Sequence, residues 1–209
     1  MMKHCVACAA VVVVVAAGSR GLDGATEYRV EPSKSSLRIE VGKGGAFGFV
    51  AGHTHEVEGR IQGRVTADAR DLSGAEIQLT IRAADLRVSG KGEPPADVPK
   101  VQERMLGPDV LDVARFPEIT FRSTSVAVGE GRSAAADVRV TGELTLHGRT
   151  KSIATPVRVH IDGGSLTASG TLTVKQSDFG IKPVSVAGVV NVKDALTIHF
   201  EVTAAADGF

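Results

Sequence analysis

Tryptophan is absent, tyrosine occurs once, and the two cysteines, Cys5 and Cys8, both fall at the extreme N-terminus. With no thiol further along, a disulfide framework, a thiolate metal site and a cysteine nucleophile are excluded from the rest of the chain. A surplus of either charge is missing too. Lys plus Arg and Asp plus Glu number 24 each, so no basic excess points to nucleic acid or an anionic membrane. There is no G-x-S-x-G, no H-E-x-x-H, no phosphate loop and no evident carboxylate pair, so nothing in the sequence supports an enzyme. Internal repeats and low-complexity linkers are lacking as well, and a single domain accounts for the 209 residues. What is present is a supply of Val, Ile, Leu, Ala and Gly, a composition that favours strands.

The N-terminus reads as a targeting segment. Lys3 and His4 precede an uninterrupted apolar run from Cys5 to Ala17, and the small residues Ala16, Ala17 and Gly18 stand at its end. The run is shorter than the ~20 residues needed to span a bilayer. The expectation is a signal peptide over residues 1–18, cleaved near Gly18–Ser19, and a periplasmic or secreted domain over 19–209. Its removal takes both cysteines and Lys3, leaving 23 basic against 24 acidic residues, a net of −1. No stable membrane insertion is expected after cleavage.

Alternation with a period of two dominates the remainder of the chain. From Val57 the odd positions are Val57, Gly59, Ile61, Gly63, Val65 and Ala67, and the even ones are Glu58, Arg60, Gln62, Arg64, Thr66 and Asp68. Only a strand sorts residues this way, and only an antiparallel sheet with one wet face uses them. The same pattern runs through Leu37–Val41, Ile77–Ala83, Ile119–Phe121, Val138–Leu146, Ile153–Ile161, Leu166–Val174 and Leu196–Val202. Turns are expected at Pro32-Ser33, Gly42–Gly52, Asp71–Gly74, His147-Gly148-Arg149 and Gly163-Gly164. About eight amphipathic strands with short turns describe an up-and-down barrel or a sandwich, and closure into a barrel removes exposed edges.

One stretch departs from the pattern. Between Asp85 and Pro117, Pro94-Pro95 precedes Asp97, a candidate N-cap, and Val98, Val101, Met105 and Leu106 share one helical face before Gly107-Pro108. Another interruption, Asp178-Phe179-Gly180-Ile181, suggests a turn that needs Gly180, with Phe179 either plugging the barrel or touching a ligand.

Small residues on the dry face (Gly59, Gly63, Ala67, Ala83, Gly142, Ala168 and Gly170) leave two readings open: relief of crowding where the sheet coils, or a cavity. A cavity with so aliphatic a wall would take an aliphatic ligand. At ~0.8 kcal/mol per buried methylene, a five-carbon isoprene unit gives ~4 kcal/mol gross. Two or three units then reach the ~8 kcal/mol of a micromolar complex before association costs.

The histidines offer a competing reading from another class. His53 and His55, two apart and followed by Glu56, could chelate zinc in a metal-dependent enzyme, although no third ligand can be named. His147 falls at a hairpin turn, and His160 and His199 on the wet face, all three read as surface residues.

Several segments together resemble the YceI-like family, lipocalin-like polyisoprenoid-binding proteins exported by bacteria. They are SSLRIEV after Tyr28, GHTHEVEGRI, FPEITFRS at 116–123, GELTLHGRTK at 142–151, QSDFGI at 176–181 and VKDALTIHFEV at 192–202. The resemblance implies an extended antiparallel, lipocalin-like β-barrel of about eight strands with one short helical insert. It also implies a long-chain isoprenoid partner, of the polyprenyl phosphate or quinone type, with no cofactor. On it, the ligand face comprises Ile61, Val65, Leu79, Ile81, Phe121, Val140, Leu144 and Leu172, with Met105 and Phe179 narrowing the mouth. At the insert the chain reads RMLGPDVLDVARFP where many members carry a charged run, so its lid and head-group preference are expected to differ. A ligand-free envelope stress or interaction protein is the remaining alternative.

Overall fold

The computed structural model describes residues 24–44, 54–91, 94–129, 135–183, 185–186 and 190–207. The expected signal peptide, both cysteines, His53 and most of the Gly42–Gly52 turn lie outside them.

Among the described residues twelve strands form a single antiparallel sheet. They are β1 (Thr26–Val30), β2 (Ser36–Gly44), β3 (His55–Gly59), β4 (Gln62–Asp68), β5 (Asp71–Arg82), β6 (Arg87–Val88), β7 (Glu118–Val128), β8 (Ala135–Leu146), β9 (Arg149–Asp162), β10 (Ser165–Lys175), β11 (Ser185–Val186) and β12 (Val190–Ala206). Several are pieces of one longer strand. Along one edge of β12 lie first β2, with Ile39 opposite Ile198, and then β1, with Tyr28 opposite Ala206. Likewise β3 pairs with β2 while β4 pairs with β1, and β5 and β6 line up beside β4 and β3. Counted this way, eight strands run up and down, and the β1–β12 pairing closes them into a barrel. Among the described residues closure gives each long strand a neighbour on both sides, although the β9–β10 ladder stops at Val157–Gly170.

The alternating run from Val57 to Asp68, expected as one strand, is therefore divided at Arg60-Ile61. The break lies beside the Glu31–Ser35 turn that separates β1 from β2, so both neighbours bend at one place. Parity survives it: Val57, Ile61, Val65 and Ala67 are all buried. A second correction concerns Asp71–Gly74, expected as a turn. It opens β5 instead, because the reversal is completed earlier, where the Arg70 N–H and guanidinium both donate to the Asp68 carboxylate.

Helix α1 (Val98–Leu106) lies in the insert between β6 and β7. Val98, Val101 and Met105 pack toward the barrel interior. Asp97 precedes the helix but makes no capping bond, since its backbone is already helical (φ −95°, ψ −20°). Pro99 also removes one of the N–H groups a cap would bind. The helix is held instead by Gln102, whose Oε1 accepts from the Val88 N–H at 2.8 Å and whose Nε2 donates to the Leu86 carbonyl at 2.9 Å. At the base of the insert, the Ala83 N–H donates to the Pro117 carbonyl at 2.9 Å.

Candidate functional site

The interior of the barrel is hollow. A cavity of about 250 Å³ runs past side chains from every wall. In β5 its lining extends from Leu72 to Ile81. At ~3.4 Å per residue that is ~30 Å of strand, and a strand tilt of ~35–45° reduces it to ~20–25 Å along the axis. The pleat explains how the wall is made: inward apolar positions alternate with outward polar ones, as around Leu79, Ile81, Leu172 and Ile198. These four point inward yet are only partly buried, because their free surface faces the void.

The lining is almost wholly aliphatic, with Thr120, Thr155 and Gln176 as its polar members. Two of these have their donors engaged by backbone carbonyls. The Thr155 hydroxyl donates to the Thr171 carbonyl at 3.0 Å, and Gln176 Nε2 donates to the Lys193 carbonyl at 2.9 Å. The wall is thus suited to hydrocarbon and offers little to polar solutes.

Of the residues singled out from sequence, Ile61, Val65, Leu79, Ile81, Met105, Phe121, Val140, Leu144 and Leu172 line this cavity. Phe179 does not. It is 1 % exposed and packed among Leu144, Leu146, Val174 and Ile181, a plug at one end of the barrel. The chain turns back there through Gly180 at φ +76°. Sequence reasoning missed Phe200, which lines the cavity opposite Gly170 of β10. It also missed Leu72, assigned to a turn. An aromatic residue facing a glycine across two strands was a readable signal for Phe200, once the register was known.

The inner-wall glycines act otherwise than as simple voids. Phe200 Cζ lies 2.6 Å from where a Gly170 Cβ would stand, and the Phe121 ring occupies the corresponding space over Gly142. Leu86 and Leu37 fill the space above Gly59 in the same manner. Glycine lets large side chains lie flat against the wall, and the hollow is what remains inside them.

His53 lies outside the described residues, and His55 and Glu56 do not come together. His55 stands opposite Val41, a lining residue, and so is on the inner face, whereas Glu56 is opposite Glu40 on the outer one. Neighbours along a strand cannot converge on one ion. Glu56 is engaged elsewhere: Lys91 Nζ donates to it at 2.8 Å and Arg38 Nη1 lies 3.6 Å away. The Lys91 hydrogen bond holds its carboxyl below the ordinary glutamate range. Among the described residues no three His, Cys, Asp or Glu side chains are grouped to hold a metal.

His147, expected as a surface turn residue, is half-buried. Its ring stacks edge-on to Phe116 at 4.6 Å, and its Nδ1 is 3.3 Å from the Phe179 carbonyl, which ties the β8–β9 turn to the plug. His199 is on the outer face, 3.0 Å from the Thr171 hydroxyl and 3.4 Å from Glu40. No described helix is long and apolar enough to cross a membrane.

Comparison with known proteins places this architecture. A UPF0312 protein of Shewanella denitrificans is 26% identical over 186 residues, covering 84% of this chain and 87% of that one. A UPF0312 protein of Pseudomonas syringae pv. syringae is 46% identical over 81 residues, so that this chain spans only 40% of its length. Among solved structures, BcnA of Burkholderia cenocepacia superposes with a TM-score of 0.65 at 22% identity, covering 84% of this chain and 99% of that one. A polyisoprenoid binding domain from Saccharophagus degradans gives a TM-score of 0.60 at 16% identity, over 86% and 98% of the two chains. These likenesses concern the fold. The model of the YceI-like domain matches residues 28–204, nearly all of the barrel, and the chain belongs to that family.

Proposed function

We propose that the protein is an exported carrier that shields the hydrocarbon tail of a long-chain isoprenoid from water, with no bond made or broken. The observation that carries this reading is the aliphatic hollow, whose inward side chains keep accessible surface that only a ligand would cover. At the ~10–15 Å³ needed by one water-sized group, about 250 Å³ has space for on the order of twenty such groups, about four isoprene units. Burying even ten methylenes contributes ~8 kcal/mol gross, enough to hold a tail without a strong polar anchor.

Two further lines support it. The Saccharophagus degradans domain that shares the fold is described as polyisoprenoid binding. The N-terminal pattern of Lys3, an apolar run and small residues is that of an export signal, which supports a carrier working in the periplasm or outside the cell. The test is organic extraction of protein purified from its native envelope, followed by mass spectrometry. A near-stoichiometric isoprenoid is expected; clean protein from repeated preparations overturns the reading.

A further inference from the structure

The β9 and β10 strands are joined over only part of their length. Their ladder runs from Asp162 opposite Ser165 to Val157 opposite Gly170 and goes no further. The rest of β9, back to Arg149, stays paired with β8 on its far side. The rest of β10, out to Lys175, stays paired with β12 on its own far side. Pro156, with no N–H to donate, stands where the ladder stops, and its carbonyl lies 2.8 Å from where a Gly170 Cβ would be. Residues 171–175 thus border a slot ~17 Å long, at ~3.4 Å per residue.

The slot leads straight into the hollow, because Ile153 and Thr155 on one lip and Leu172 and Val174 on the other all line the cavity. The outward positions between them, Ser152 and Ala154 on β9 and Thr171 and Thr173 on β10, are small and exposed. A side-chain tie crosses it: the Thr155 hydroxyl donates to the Thr171 carbonyl at 3.0 Å. Beyond its end, His147 Nδ1 meets the Phe179 carbonyl at 3.3 Å. The plug itself is moored to the β10 side. The Ser177 N–H and hydroxyl donate to Asp194 of β12 at 2.8 and 2.6 Å, and Gln176 Nε2 donates to the Lys193 carbonyl at 2.9 Å. The β5–β7 ladder also stops early, at Gln78 opposite Arg122, but there the next N–H, that of Ile77, donates to Ser123 Oγ at 2.9 Å. That break is bridged from the backbone itself.

Resting on the carrier reading above, we propose that the slot between β9 and β10 is a lateral port through which a hydrocarbon chain enters and leaves sideways, with Thr155 as its latch. Phe179 stops one end of the barrel, so a chain threading end-on there must first displace a packed aromatic ring. A slot running along the wall lets the whole chain pass at once. Parting a fully paired stretch of wall strips N–H and C=O groups of their partners. Here the ladder is already absent, and the lips are held across the slot by one hydroxyl.

The experiment follows uptake and release of all-trans-retinol, a fluorescent isoprenoid alcohol, by stopped flow. The protein is the full chain in a Cys5→Ser/Cys8→Ser background, with thermal unfolding as the folding control. Ala154→Cys/Thr173→Cys, joined by a bismaleimide, ties the lips across the slot. Ala154→Cys/Thr141→Cys, joined in the same way, ties an intact rung of the β8–β9 ladder, and Glu76→Cys/Thr124→Cys ties β5 to β7 beyond the end of theirs. A barrier on the path changes both rates together and leaves affinity alone. The slot cross-link is therefore expected to slow uptake and release at least tenfold with less than a twofold change in Kd, while the other two leave the rates unchanged. Thr155→Val is expected to speed release at least threefold. Unchanged rates with the slot cross-linked overturn the port, and so does slowing by the β5–β7 cross-link alone; both leave the carrier reading standing. Where the slot cysteines fail to join, Thr155→Val decides, and an unchanged release rate overturns the port. Failure of the uncross-linked protein to bind retinol counts against the carrier reading and takes the port with it.

Discussion

Phe200 of β12 lies flat over Gly170 of β10, its Cζ 2.6 Å from the place a Cβ would take. The two are directly opposite in the strand register. Aromatic bulk and an absent side chain thus set the width of the hollow together.

Gly170→Ala probes this pairing. The new methyl would meet the Phe200 ring and also the Pro156 carbonyl, 2.8 Å from it, so the ring is driven inward and the last rung of the β9–β10 ladder is strained. A loss of ~1–3 kcal/mol in urea unfolding is expected, together with reduced recovery of extractable lipid.

The hollow and the plug respond in opposite ways to a change of size. Leu79→Trp projects into free space, so stability should fall by less than ~1.5 kcal/mol while bound lipid drops sharply. Phe179→Ala opens a void in a packed cluster and should cost ~3–5 kcal/mol. Urea unfolding and lipid extraction on both variants separate the two roles. A large stability loss in Leu79→Trp would show that the interior is filled.

Lys91→Met removes the hydrogen bond that holds the Glu56 carboxyl below its ordinary value of 4.5. A group whose folded pKa is depressed contributes stability that is present above its unfolded pKa and lost as pH falls through the folded one. The contribution therefore disappears only below about pH 4.5. In the variant, the Glu56 carboxyl resonance should titrate at higher pH than in the wild type, with the Ser89 hydrogen bond and the Arg38 charge providing what depression remains.

Gln102→Ala unties α1 from β6, leaving the Val88 N–H and the Leu86 carbonyl without their partner. The expected penalty is ~1–3 kcal/mol, expressed locally. Hydrogen exchange at the Val88 amide should quicken several-fold while amides in the middle of β8 are unchanged.

How far sequence could go is visible in particular residues. Parity alone identified the inner face through Val57, Ile61 and Val65, and it survived even the unforeseen break at Arg60, because both halves keep the same phase. It could not show whether Leu79 meets another side chain or a void, since both demand an apolar residue. The partnership of Phe200 with Gly170 depends on register across strands joined through a long connection, which periodicity does not contain. Arg149, expected as part of a turn, opens β9 instead, because His147 and Gly148, both at positive φ, complete the reversal by themselves.

The seam between β1 and β12 brings Arg29 within 3.0 Å of Asp207, partners 178 positions apart. A wall that seals only with its last strand cannot finish assembling while that strand is still being made. Contacts so distant along the polypeptide also form slowly. The nascent barrel therefore stays open until late, and the interior is sealed from solvent only when the final staves lock.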